Sequence, residues 1–129
     1  MTTITGRFDL THWDEEIFDD AEGAKLVRAR VGKRFEDGLT GTSTAEILQT
    51  HSQGDSRAYV GIERVSAEID GRKGTFVLRH SALASGSGGD MRVDVVPDSA
   101  TDDLVGLRGE MTINLVEGEH TYRFEYTLP

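Results

Sequence analysis

Apolar and polar residues alternate with a period of two along most of this chain, the mark of strands that bury one face. The pattern predicts a first strand over 3–12, with Ile4, Phe8, Leu10 and His12 on one face and Thr5, Arg7, Asp9 and Thr11 on the other. The acidic run 14–22 breaks the alternation. A second strand follows over 25–35, where Val27, Ala29, Val31 and Phe35 oppose Arg28, Arg30 and Arg34. Asp37-Gly38 signals a turn, because Asp-Gly tolerates positive φ. Residues 41–49 form a third strand of weak polarity contrast. Gly54-Asp55 turns into a fourth over 57–69, and Asp70-Gly71 is the clearest hairpin signal. A fifth strand over 73–81 places Gly74, Phe76, Leu78 and His80 on one face. A glycine-rich connection, 85–89, precedes a sixth in which Met91, Val93 and Val95 alternate with Arg92 and Asp94. The stretch 97–109 is irregular, with one helical turn over 102–107 capped by Thr101. Two final strands carry Met111, Ile113 and Leu115, then Tyr122, Phe124, Tyr126 and Leu128, joined at Glu117-Gly118.

Eight one-sided strands with no long amphipathic helix fit either a sandwich or a closed barrel. Hairpins that follow one another, with no long crossover, favour an all-β, eight-stranded antiparallel closed barrel. Its interior is just wide enough to be filled by side chains or to hold one small ligand. A length of 129 residues fits one domain.

Composition narrows the function classes. The chain has no cysteine, which excludes a disulfide scaffold, a thiolate metal site and a cysteine nucleophile. Its 23 acidic and 14 basic residues leave a net charge of −9. Nucleic-acid phosphates and anionic membrane surfaces are therefore poor partners. With no apolar run long enough to span a bilayer and no signal-peptide pattern at the N-terminus, a cytoplasmic location is expected. No nucleotide or flavin motif is present, so any chemistry is expected to be cofactor-free.

Within the predicted barrel, Glu63 and Tyr59 share one face of the fourth strand and His80 ends the apolar face of the fifth. If both faces point inward, a carboxylate, a phenol and an imidazole enter one cavity. Burial raises a carboxyl pKa, and a nearby histidine exchanges protons with it. The competing reading makes Glu63 a structural ion-pair partner of Arg79 or Arg28, since such networks also perturb pKa values. Trp13, where the first alternation stops, either stacks on a ligand at the barrel mouth or covers the core. Phe76, Leu78 and Tyr122 complete the candidate ligand wall. Four histidines occur, and only His12, His80 and His120 could converge; a metal site would need all three at one level. Gly41-Thr42-Ser43-Thr44-Ala45 lacks the strand–turn–helix setting of a nucleophile elbow. Asp98, Asp102 and Asp103 lack the spacing of a calcium loop.

Tyr59-Val60-Gly61-Ile62-Glu63-Arg64 and the run from Asp70-Gly71 through Leu78-Arg79-His80 resemble a family of small bacterial domains of unknown function. Trp13-Asp14-Glu15 and the late turn from Val95 to Gly109 are similar to it as well. The resemblance implies the allene-oxide-cyclase-like, or calycin-like, barrel over nearly the whole chain, and no assigned reaction. The named plant relatives of that barrel cyclise a fatty-acid epoxide, an analogy of fold alone. Ala100 and Ser66 stand where the family often has glycine, so a late turn that needs positive φ at position 100 would be disfavoured.

Two functions follow as expectations. One is a barrel that binds a small apolar or amphipathic molecule, with a cyclase or isomerase version that uses Glu63, His80 and Tyr59. The other is a non-enzymatic carrier or stress-related interaction module whose barrel is filled by side chains. Self-association as a homodimer or higher oligomer is compatible with both.

Overall fold

The computed structural model describes residues 1–85 and 88–129. Eight antiparallel strands close into a barrel in which each pairs with the next and β1 pairs with β8. They are β1 (Thr2–Asp19), β2 (Ala24–Asp37), β3 (Leu39–Ser52), β4 (Arg57–Ile69), β5 (Arg72–Ser85), β6 (Gly88–Val95), β7 (Arg108–Val116) and β8 (Glu119–Thr127). The expected connection 85–89 is mostly strand at its two ends, and Gly86 and Ser87 lie outside the described residues.

Side chains at odd positions of β2, β3, β4, β6 and β7, and at even positions of β5 and β8, point inward. They bury Phe35, Leu39, Val65, Ile69, Phe76, Leu78, Val93, Phe124 and their neighbours as one core at the lower end. Asp70 and Gly71 both take positive φ, 50° and 78°, as a two-residue hairpin turn of this twist demands. A 3₁₀ turn, Asp102–Leu104, plugs the lower end with the buried Leu104 and Leu107. Thr101 does not cap that turn with its side chain. Its hydroxyl instead accepts from the Thr75 N–H at 3.0 Å, and its own N–H donates to the Thr75 carbonyl at 2.9 Å. The left-handed residues of the late loop are Asp98, Asp102 and Gly106. Ala100 is not among them, so its Cβ meets no conformational obstacle and packs against the core.

Two expectations about β1 change. The acidic run does not end the strand, which continues to Asp19 against β2. Cross-strand charge holds it there: Glu16 and Arg28 are 3.6 Å apart, and Arg28 sits over the Phe18 ring. A bulge between Leu10 and His12 also shifts the register. His12 therefore leaves the face of Phe8 and Leu10 and lies over Gly32 on the outside, while Trp13, opposite Val31, takes the inward face.

The upper end is not walled all round. β1 pairs with β8 only as far as Phe8, and β6 pairs with β7 only at Val93↔Met111 and Asp94↔Glu110. The hairpin of β7 and β8 is short, and the barrel opens above it.

Candidate functional site

The open end leads into a cavity of about 300 Å³. Phe8, Leu10, Val31, Ile47, Met91, Ile113 and Leu115 give it a mostly apolar wall, with Trp13 at the mouth. Its polar groups are Lys33, Gln49, Tyr59, His80, Asn114 and His120. A larger, open groove of about 880 Å³ lies on the outer side of the sheet, among Leu48, Val60, Ile62, Arg28, Arg79 and Arg92. Lys33 and Glu63 are on the other side of that wall.

Glu63 lies beneath the cavity floor, 0% exposed, between the large lower core and the small upper cluster of Ala29, Val31, Ala45 and Ile47. β4 brings it inward, and its neighbours on β2, β3 and β5 supply three donors. Lys33 Nζ lies 3.1 Å and His80 Nε2 2.7 Å from Oε1, and Ser43 Oγ donates to Oε2 at 2.5 Å. Burial alone pushes the Glu63 carboxyl up. The His80 hydrogen bond, the Lys33 and His80 charges and the Ser43 hydroxyl outweigh it and hold the pKa down to about 2. The expected upward shift is thus reversed, because burial came with a full set of donors.

That charge fixes a tautomer. A carboxylate only accepts, so the His80 Nε2 that touches it carries a proton. Every buried polar side-chain atom among the described residues has a partner, and His80 bonds only through Nε2. Its Nδ1 therefore keeps an accessible surface. The Tyr59 ring centroid is 6.4 Å from that of His80, and burial, then the Glu63 charge, raises the Tyr59 pKa. Lys33 Nζ also lies 4.8 Å from the centre of the Phe8 ring, a cation–π contact.

Of the residues selected from sequence, the structure brings together Glu63, His80, Tyr59 and Trp13. Glu63 is sealed below, while the other three reach the cavity. Phe76, Leu78 and Tyr122 are elsewhere, packed into the lower core. The Tyr122 hydroxyl accepts from the Leu39 N–H at 2.8 Å and donates to the Glu36 carbonyl at 2.8 Å, so its polar end holds the β2–β3 turn. Arg79 and Arg28 do not reach Glu63; Arg79 pairs with Asp94 on the outer face. Among the described residues no cluster of three metal-ligating side chains occurs, and His12 lies on the wrong side of the wall to join His80 and His120.

Lys33 and Ser43 were missed. The signal for Lys33 was its odd position in β2, in step with Val27, Ala29, Val31 and Phe35. A charge on an otherwise apolar face invites an explanation.

The family described as "Protein of unknown function (DUF3224)" matches residues 4–126. A crystal structure of a protein of unknown function from the DUF3224 family of Shewanella oneidensis MR-1, at 1.84 Å resolution, is similar over the full length. The two share 33% identity and superpose with a TM-score of 0.91, covering 100% of this chain and 98% of that one. No curated protein matches the chain.

Proposed function

The chain belongs to the DUF3224 family, a membership that brings no reaction with it, and we propose from its own geometry that the barrel binds a small, partly apolar molecule at its open end and exchanges a proton with it through His80. One observation carries this reading. An ionised Glu63 is held under the cavity floor with Lys33 and His80 bonded to the same oxygen, and both partners stand on the cavity wall. An apolar core of the same volume would serve stability as well or better. Buried ionisable groups that meet in a cleft are the common setting of proton-transfer sites.

Glu63 accepts from the His80 Nε2–H and so orients the ring, and the Nδ1 lone pair is left to act. With a carbonyl-bearing ligand, Nδ1 takes a proton from the carbon next to the carbonyl. The C–H electron pair moves to the oxygen, where the Lys33 ammonium, with N–H donors beyond the one given to Glu63, stabilises the enolate charge. Returning the proton to another atom completes an isomerisation or a ring closure with no cofactor and no net change in protons. Cyclisation is the version that the allene-oxide-cyclase-like resemblance favours, and a wall that holds a folded conformer lowers its entropic barrier.

Trp13 is the sole tryptophan and stands at the mouth, so its fluorescence reports occupancy. Methyl butyl ketone is expected to change that signal saturably. In D₂O, proton NMR is expected to show catalysed exchange at the carbons flanking its carbonyl. His80→Gln keeps a donor for Glu63 but has no base, and exchange should fall roughly a hundredfold while binding persists. An unsaturable fluorescence signal overturns the binding reading, and exchange that His80→Gln leaves intact overturns the proton-transfer reading.

A further inference from the structure

Above the cavity, five inward-facing apolar side chains have no opposite wall. Leu10, Trp13 and Ile17 on β1, Met91 on β6 and Leu115 on β7 are between 41% and 64% exposed, although each points to the barrel axis. The reason is topological. Beyond Phe8, β1 pairs only with β2; before Val93, β6 pairs only with β5; after Met111, β7 pairs only with β8. The short β7–β8 hairpin leaves a gap, and these residues line an apolar trough that rises from the cavity through it. Leu10, Trp13, Met91 and Leu115 border the cavity itself, so trough and cavity are continuous.

Charge gives the pair a direction. The Lys33 ammonium is at the cavity wall. One carboxylate shares the trough's own face of β1, Glu15, bonded to the Trp13 indole at 2.9 Å, while Asp14, Glu16 and Asp90 belong to the outer faces of their strands, Glu16 paired there with Arg28. An acceptor head is favoured below and repelled above, and the trough offers only apolar contact.

Resting on the binding reading above, we infer that the ligand is an unbranched amphiphile longer than the cavity, bound with a hydrogen-bond-accepting head against Lys33 and its tail laid along the trough. A group the size of a water takes about 30 Å³, so the cavity holds on the order of ten heavy atoms. Anything longer must use the gap.

The test is a chain-length series on the full chain, read by Trp13 fluorescence and calorimetry below the critical micelle concentrations. Hexanoate, decanoate and tetradecanoate are compared with methyl ketones of matching length, which separates an anionic head from a carbonyl one. Affinity is expected to rise about two- to fourfold for each added methylene, past the length that fills the cavity. The variant Ile17→Asp, at the one trough residue that does not line the cavity, should abolish the gain from decanoate to tetradecanoate and leave hexanoate affinity unchanged, which also shows that the variant is folded. An affinity that levels off once the cavity is full, or a gain that Ile17→Asp keeps, overturns the trough while the cavity reading stands. If no member of either series binds, both fall together.

Discussion

Glu63 accepts three hydrogen bonds where no solvent reaches it, and that set of donors accounts for a charge that burial opposes. The alternation of β4 placed the residue on a face with Tyr59 and Val65 but could not say which face was inside, because Val60 and Ile62 made the opposite face apolar as well. Nor could it find Lys33, whose partner is 30 positions away and meets it only through barrel closure. A pKa lowered in the folded state from 4.5 to about 2 stabilises the fold above the unfolded value. That contribution is lost as pH falls from about 4.5 towards 2, and the shift corresponds to about 3 kcal/mol. Urea unfolding followed down through that window should show the loss in the wild type and a flatter acid limb in Glu63→Gln. At neutral pH, Glu63→Gln leaves Lys33 unpaired and costs roughly 3–5 kcal/mol. Adding Lys33→Met should recover part of it, because the amide that Glu63→Gln introduces still accepts from His80 through its oxygen and can donate to the Ser43 hydroxyl through its nitrogen. Parallel acid limbs in the two proteins would show that Glu63 is not the group responsible.

At the scale of the strands, alternation located nearly all of the fold, and its two failures in β1 have separate causes. A bulge adds one residue to one strand, and no periodicity anticipates where the count slips; the slip after Leu10 is what exchanged His12 for Trp13 on the inner face. The extension of β1 to Asp19 was hidden because a ribbon exposed on both faces needs no apolar alternation, and its order comes from pairing with β2. Phe76, Leu78 and Tyr122 were correctly read as inward, yet an inward face fills a core at one height and lines a cavity at another. Height follows from strand register and from which end is plugged. The plug depends on Gly74: a Cβ there would meet the Thr101 carbonyl oxygen and the Leu104 side chain. Gly74→Ala is expected to push the 3₁₀ turn off the lower end and cost about 1–3 kcal/mol, seen as a lower urea midpoint. Because Gly74 lies at the end opposite the cavity, hexanoate affinity should be unchanged. An unaltered midpoint would mean that the plug has room the close approach denies.

Over the whole molecule these features form three levels along one axis: a dry aromatic core over the plug, an ionic layer built on Glu63, and an apolar opening bordered by acids. The net charge of −9 surrounds a cavity lined by the cationic Lys33. An anionic head must cross a repulsive outer field to reach an attractive inner one, so net charge slows its arrival without weakening its final contacts. The Debye length falls from about 30 Å at 0.01 M salt to about 3 Å at 1 M. Over that range the association rate of decanoate, followed by stopped-flow Trp13 fluorescence, should rise several-fold, opposite to the usual effect of salt on steered association. A methyl ketone of equal length carries no charge and supplies the baseline for any general strengthening of apolar contacts by salt. The ratio of the two association rates isolates the field. A ratio that rises with salt places the acids on the ligand's path, as a head-inward route through the trough requires. A constant ratio would mean that the head reaches Lys33 by a way that does not pass Glu15, and the orientation drawn from the charge distribution would then be wrong.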